Sequence, residues 1–290
     1  MTFYLNFRAQ TVGGGVIDPR PLQGLVNPNS TQAIGLIPLD PGAVRGLVNG
    51  CNVLFGAHGF NVDMDAGTRT MARLETRLGL TPSEVFFGVL WPGDSWVPFV
   101  DYPIEGDFAM DTGNRLAAFC NTWLGGASSI SFLSHSLGAR VVLQAVTGLQ
   151  TKARSVCLAA AAVNQGALAE EYAAAAKNTT TISLLASHMD EVLKLAYPPG
   201  DAVSNTLHYD HPYFEPALGY SGPPPPPPQV NPPWLIPNNA GANGNGYNHG
   251  DYLPPGNSGL PPRAVPPPPK WIAVADYMAH AYRGLQQTWP

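Results

Sequence analysis

Between Asn52 and Ala186, short apolar runs alternate with stretches in which apolar residues recur at helical spacing. The run at 85–90, Val-Phe-Phe-Gly-Val-Leu, contains no polar side chain, which predicts a strand with both faces covered. Strands that alternate with helices build a mostly parallel sheet with helices on both faces. The sequence therefore predicts an α/β fold.

The same patterns give bounds for the individual elements. Strands are predicted at 3–8, 33–39, 52–57, 85–90, 130–133, 155–160 and 181–186. Helices are predicted at 65–79, 110–124, 137–149, 167–177 and 271–285. The Gly/Pro/Asn-rich passage at 13–29 predicts irregular chain. No helical pattern separates the first two strands, so we expect them to form an antiparallel start to the sheet.

The composition changes sharply after Tyr220. Of the 31 prolines, 17 fall between Pro223 and Pro269, in two polyproline tracts and around them. Such a segment cannot continue a helix or pair as a central strand. We interpret residues 1–290 as a single domain in which 221–269 is a long Pro/Asn/Gly-rich loop excursion. Its tracts could also bind a proline-recognising partner.

Charge and composition exclude several classes of function. The net charge is −5 with no Lys/Arg cluster, so we expect no nucleic-acid binding. No apolar run is long enough to span a membrane. We expect no metal and no cofactor, because the histidines lack metal-ligand spacing. The three cysteines are expected to be free and the N-terminus has no leader pattern, which together predict a cytoplasmic protein.

The strongest local signal is Ser134-His-Ser136-Leu-Gly138, which lies between an apolar strand and an apolar helix. This matches the nucleophile elbow G-x-S-x-G, with Ser134 in place of the first glycine. The turn requires small residues on both sides because neighbouring backbone approaches closely. The helix that follows directs N–H groups and a positive dipole toward the serine oxygen. We predict that Ser136 is a catalytic nucleophile.

A second motif, His58-Gly-Phe-Asn61, follows the strand at 52–57, and Trp91-Pro92 follows the next strand. Together with the serine turn, these motifs resemble the α/β-hydrolase fold. More narrowly, they resemble a bacterial branch of lipase-like hydrolases of poorly defined physiological role. The resemblance covers roughly residues 52–189. It implies that the backbone N–H groups of Phe60 and Leu137 form an oxyanion hole, and that His58 supports the turn.

The catalytic acid of this fold follows the nucleophile in the chain and precedes the histidine. The sequence Ser-His-Met-Asp190-Glu191-Val comes directly after the strand predicted at 181–186 and resembles the acid loop of the family. Asp190 is therefore the predicted acid. Glu191 is the alternative, and Asp190 could also serve only as a charge at a helix N-terminus.

The catalytic base is predicted to be His249. Its segment, Tyr-Asn-His249-Gly-Asp-Tyr, resembles the histidine loop of lipase-like hydrolases and precedes the last predicted helix. His208 and His211 are the alternatives, whereas His280 lies well inside that helix. If His249 is correct, the base lies on the proline-broken excursion, and packing must order it.

A turn-rich loop after the strand at 85–90 carries four aromatic residues, Trp91, Trp96, Phe99 and Tyr102. They could line a substrate pocket or pack an irregular loop. The sequence shows no amphipathic lid helix of the kind expected in a long-chain lipase. We therefore predict a serine hydrolase that cleaves small esters with short or medium acyl chains through an acyl-enzyme. The alternatives are a serine peptidase or amidase on the same fold, and a non-catalytic hydrolase-like binding protein.

Overall fold

The computed structural model describes residues 1–12, 14–25, 35–94, 102–195, 215–241, 243–257 and 269–285. These residues form a single mixed sheet in the order β3-β2-β1-β5-β4-β6-β7-β8-β9. β2 runs antiparallel to β1 and β3, and the other neighbours are parallel. The strands are β1 Thr2–Arg8, β2 Val16–Gly24, β3 Leu36–Pro38, β4 Asn52–Ala57, β5 Glu84–Leu90, β6 Ser129–His135, β7 Ala153–Ala159, β8 Thr179–Leu185 and β9 Val230–Asn231.

Helices cover both faces of this sheet, as the apolar strands require. One apolar core joins the sheet to α1, α3, α4 and α5, and a second joins the opposite face to α2 and α8. In the described ranges, no helix has the length and apolar character needed to cross a bilayer. The helices are α1 Pro41–Val48, α2 Met64–Leu78, α3 Tyr102–Trp123, α4 Gly138–Gly148, α5 Ala173–Lys177, α6 Glu191–Leu195, α7 Leu218–Ser221 and α8 Lys270–Ala281.

The register of the parallel strands determines where functional side chains can meet. Ala57 of β4 pairs with Ser134 of β6, and Ser134 pairs in turn with Leu158 of β7. Leu158 pairs with Leu184 of β8. Because these strands end level with one another, the turns that follow them converge at one edge of the sheet.

The N-terminal part differs from the prediction. β2 lies within the passage predicted to be irregular, and its prolines are accommodated next to β1. Pro21 pairs with Leu5, and its carbonyl accepts the Leu39 N–H over 2.9 Å. The β1–β2 register shifts between Asn6 and Arg8. Pro19, which has no N–H to donate, therefore lies at this irregularity rather than in the regular ladder. The start of the sheet is antiparallel, as predicted, but the two predicted strands β1 and β3 do not pair with each other: each pairs with β2, which lies between them.

Several helices also depart from the prediction. α1 was not predicted; it begins at Pro41, where a missing N–H costs nothing. α3 begins at Tyr102 rather than at Met110. In the alanine-rich stretch 167–177, regular α-helix is confined to Ala173–Lys177, and turns precede it.

The Pro-rich excursion contributes to the sheet before it reaches the predicted histidine. Val230 and Asn231 pair with β8 as an edge strand, and Leu235 forms a further bridge to Ala186. Ile236 is almost fully buried in the second core. Extended, proline-rich chain can pair at an edge even though it cannot form a central strand. The single-domain organisation of residues 1–290 stays a prediction.

Candidate active site

Ser136 lies in the turn between β6 and α4. Its φ is +54°, in the left-handed region that non-glycine residues rarely adopt. The Ser136 N–H donates to the Ala159 carbonyl over 3.0 Å, and the Ser136 carbonyl accepts the Ala162 N–H over 3.1 Å. The end of β7 thus holds the strained backbone in place, as expected for a nucleophile elbow.

The glycines around the turn allow backbone to pack directly on backbone. A Cβ at Gly138 would lie 2.4 Å from the His58 carbonyl oxygen, and a Cβ at Gly59 would lie 2.8 Å from the Ser136 Cβ. A side chain at Gly138 would displace the main chain of His58, and one at Gly59 would displace the Ser136 or His135 side chain. Ser134 is buried and fits in the place of the first glycine. The His58–Asn61 turn consequently lies directly beside Ser136.

Asp190 follows β8 and directly precedes the short helix α6. Its side chain is fully buried, at 0% exposure, and Oδ1 accepts the Leu193 N–H over 3.0 Å. Its own N–H donates to the Ser187 carbonyl over 3.2 Å. This capping arrangement fixes the carboxylate and leaves Oδ2 directed toward the histidine loop.

His249 begins a single 3₁₀ turn, His249–Asp251, within the excursion. The Asn248 side chain accepts the His249 N–H over 2.8 Å, and the Asn248 N–H donates to the Asp251 carboxylate over 2.8 Å. This reciprocal cap gives the segment a defined backbone without a longer helix or a strand.

Contacts on both sides of this turn hold it against the rest of the protein. Ser187 donates its hydroxyl to the Tyr247 carbonyl over 2.7 Å, and the Lys270 ammonium pairs with the Asp251 carboxylate at 2.9 Å. Tyr247 and Tyr252 are buried in the second core. Packing and caps therefore order the segment that the sequence shows only as proline-broken chain.

These three turns bring Ser136, His249 and Asp190 together. The His249 Nδ1 lies 2.9 Å from Asp190 Oδ2, and its Nε2 lies 2.9 Å from Ser136 Oγ. A carboxylate only accepts hydrogen bonds, so Nδ1 carries the proton and Nε2 accepts the serine hydroxyl. The His249 side chain is 17% exposed, whereas Ser136 is only 5% exposed. The arrangement can remove a proton from the Ser136 hydroxyl.

Trp91 packs against the His58–Asn61 turn. Trp91 donates its indole N–H to the His58 carbonyl over 2.8 Å, and the two rings stack with centroids 5.6 Å apart. His58 Nδ1 lies 2.9 Å from the Gly59 carbonyl. Burial lowers the pKa of His58 to about 3, and the Arg8 charge adds to this effect. His58 is therefore neutral at pH 7; the supporting role that the resemblance implies for it stays a prediction.

A buried ion pair holds the other end of the same turn. Arg8, whose side chain is fully buried, pairs with Asp94 and donates to the carbonyls of Trp91 over 2.8 Å and Val62 over 3.2 Å. The Asn61 N–H donates to the Gly93 carbonyl over 2.5 Å. The buried charge of Arg8 is tolerated because it is paired with Asp94 and hydrogen-bonded to carbonyl groups.

The model of a family described as "Alpha/beta hydrolase of unknown function (DUF900)" matches residues 48–203. The chain belongs to this family. The match extends from the end of α1 past α6, so it contains Ser136 and Asp190, while His249 lies beyond it. No curated protein matches the chain. The α/β-hydrolase fold predicted from the two motifs is thereby confirmed.

The alternatives to Asp190 and His249 have different positions in this alpha/beta hydrolase. Glu191 is exposed on α6, and His280 is exposed on α8. His188 is exposed and contacts the Tyr220 ring. His208 and His211 lie outside the described residues.

The four aromatic residues predicted at the substrate site are only partly described. Trp91 is fully buried in the first core. Trp96 and Phe99 lie outside the described residues, and Tyr102 begins α3 with a side chain that is likewise outside them. Their role in binding substrate stays a prediction.

The sequence did not identify three residues that support the site, Arg8, Ser187 and His135. Arg8 lies far from Ser136 in the chain, Ser187 precedes Asp190 by only a short turn, and His135 directly precedes Ser136. Only long-range contacts show what each supports. The three cysteines are free. Within the described ranges, no cluster of three His, Cys, Asp or Glu side chains could hold a metal ion.

Proposed function

We propose that this alpha/beta hydrolase is a serine hydrolase that cleaves carboxylic esters. The observation that carries the proposal is the continuous hydrogen-bond chain from Asp190 through His249 to Ser136. Each group has the chemistry that its position demands: a hydroxyl, an imidazole and a buried carboxylate. This is the geometry by which serine hydrolases are recognised regardless of fold.

In the proposed reaction, His249 Nε2 takes the Ser136 hydroxyl proton as Oγ bonds to the ester carbonyl carbon. The carbonyl π electrons move to the oxygen and form a tetrahedral oxyanion. Its collapse breaks the bond to the alcohol, which leaves with the proton from His249. Water then attacks the acyl-enzyme by the same route and releases the acid. Asp190 orients the imidazole and stabilises its charged form.

The proposed oxyanion hole consists of the backbone N–H groups of Phe60 and Leu137. Leu137 directly follows the nucleophile at the start of α4, where the helix dipole also favours negative charge. The close approach of Gly59 to Ser136 supports a position for Phe60 on the opposite side of the same oxygen. Both donors would thus act without a side-chain rearrangement.

Labelling with a fluorophosphonate tests the proposal. We expect the wild-type protein to be labelled and Ser136→Ala to be unlabelled, since the probe reacts with an activated serine. Ser134→Ala is the matched control on the same turn: among the described residues, Ser134 Oγ has no hydrogen-bond partner. Wild-type protein that is folded but unlabelled would contradict the proposal.

Hydrolysis of p-nitrophenyl esters tests the substrate class. We propose a preference for short or medium acyl chains, and a series of increasing chain length measures it directly. Matched anilides of the same acyl groups test the peptidase or amidase alternative. Turnover of anilides at the rate of the esters would overturn the ester assignment.

A further inference from the structure

His135, the residue between the two serines of the nucleophile turn, contacts the backbone of His249. Its Nε2 lies 2.9 Å from the His249 carbonyl oxygen, and the two imidazole rings lie 4.8 Å apart. On its other side, a Cβ at Gly59 would lie 3.0 Å from His135 Nδ1. His135 therefore fills the space between the His58–Asn61 turn and the histidine loop.

The direction of this hydrogen bond follows from its partner. A carbonyl oxygen can only accept, so His135 Nε2 must carry the proton. Burial lowers the pKa of His135 to about 3, and the neighbouring His249 imidazole adds to this effect. The ring is therefore neutral across the range in which His249 could act as a base, and it remains a fixed donor there.

We propose that His135 is a positioning residue that fixes the backbone of the base His249 relative to the nucleophile Ser136. This inference rests on the proposed function. Both imidazole nitrogens of His249 must meet partners 2.9 Å away, and only two side-chain torsions separate them from its Cα. The backbone position of His249 therefore determines whether both bonds can form together. A misplacement of about 1 Å in such a group can reduce the rate about 100-fold.

The position of His135 in the chain explains why it can do this. It is the last residue of β6, directly before Ser136, so the strand that positions the nucleophile also positions the donor. The cap from Asn248 holds the N-terminal side of His249, while His135 holds its carbonyl. Together they fix both sides of a residue that lies on irregular chain.

The test compares His135→Gln with His135→Phe. The Gln amide N–H reaches close to the position of the imidazole Nε2, whereas Phe fills the volume without a donor. We expect His135→Phe to reduce kcat on p-nitrophenyl acetate and the rate of fluorophosphonate labelling by about 10- to 100-fold, with KM within about 2-fold. We expect Gln to recover most of this loss. His188→Phe is the control, because His188 is exposed and its ring contacts Tyr220 rather than the histidine loop.

A second readout does not depend on activity. The Nδ1 proton shared with Asp190 should give a low-field NMR signal, sharp in wild type and His135→Gln but lost in His135→Phe. If Phe does not fold, His135→Asn replaces it, since its amide stops short of the carbonyl. An unchanged signal and kcat in the donor-free variant, or an equal loss in Gln and Phe, would overturn the inference. Failure of the wild type to be labelled would instead overturn the proposed function, with the NMR comparison still deciding on His135.

Discussion

The Ser187 hydroxyl donates to the Tyr247 carbonyl over 2.7 Å and joins the turn that carries Asp190 to the loop that carries His249. Ser187 is fully buried, and its Oγ also accepts the Met189 N–H over 3.1 Å. One hydroxyl therefore satisfies two backbone groups on elements far apart in the chain. We expect the distance between Asp190 and His249 to depend on this link.

Replacing Ser187 with Ala should lower the free energy of unfolding by about 1–3 kcal/mol, because a buried carbonyl loses its donor. Urea unfolding measures the change. Ser128→Ala is the control: Ser128 also donates to a carbonyl, at 2.8 Å, but it is exposed, so water replaces the bond. We expect the control to stay within about 0.5 kcal/mol of wild type. Equal losses in both variants would contradict the proposed link.

Asp190→Asn should reduce kcat on p-nitrophenyl acetate by about 10⁴-fold, since an amide no longer selects the tautomer with its proton on His249 Nδ1. Glu191→Gln provides a matched control: an adjacent carboxylate becomes an amide, but at an exposed position. We expect kcat of this control within about 2-fold of wild type. A larger loss in Glu191→Gln than in Asp190→Asn would make Glu191 the acid.

His58 makes stability depend on pH. Its pKa is about 3 in the folded protein and about 6.5 in the unfolded chain. Between these values the unfolded chain binds the additional proton, so stability is fully present above about pH 6.5 and is lost as pH falls toward 3. The slope from His58 alone is about 1.4 kcal/mol per pH unit.

The variant His58→Gln should flatten this dependence, which urea unfolding between about pH 7 and about pH 4 measures. His135, whose pKa is also lowered to about 3, should retain its own contribution in that variant. His280→Gln, at an exposed position on α8, should keep the wild-type slope. An unchanged slope in His58→Gln would contradict the prediction.

Gly138→Ala should destabilise the protein by about 1–3 kcal/mol, because the added methyl group would clash with the main-chain oxygens of His58 and Ala57. It should also slow the labelling of Ser136. Gly46→Ala tests the same substitution in α1, where a Cβ meets nothing within 4 Å. Alanine favours helix over glycine by up to about 1 kcal/mol, so this variant should be more stable. Urea unfolding shows whether the free energy of unfolding falls in Gly138→Ala and rises in Gly46→Ala.

The fold class could be predicted because its evidence is local. The apolar run at 85–90 and the helical spacing that precedes it specify buried parallel strands and covering helices without reference to distant residues. The tight strand-to-helix turn at Ser136 was predictable for the same reason, since the small residues of the turn adjoin it. Asp190 and His249 could be ordered along the chain, although sequence alone left Glu191 as a neighbouring choice.

The remainder depends on contacts between distant parts of the chain. β2 was missed because the pairing of Pro21 with Leu5, rather than its own composition, makes it a strand. The donation from His135 to His249 joins two residues with no shared pattern. Periodicity cannot reveal such bonds, because they depend on where two loops arrive after the core has packed.

The pairing of β9 with β8 separates the polyproline tract from the histidine loop. Val230 and Leu235 are registered to the sheet downstream of residues 223–228 and upstream of His249. We therefore expect insertions or deletions in that tract to leave the position of His249 unchanged, because the register to β8 begins after them. A change in length between Leu235 and His249 would move the histidine loop directly. The tract is thus the place in this chain where we expect a tag to be tolerated.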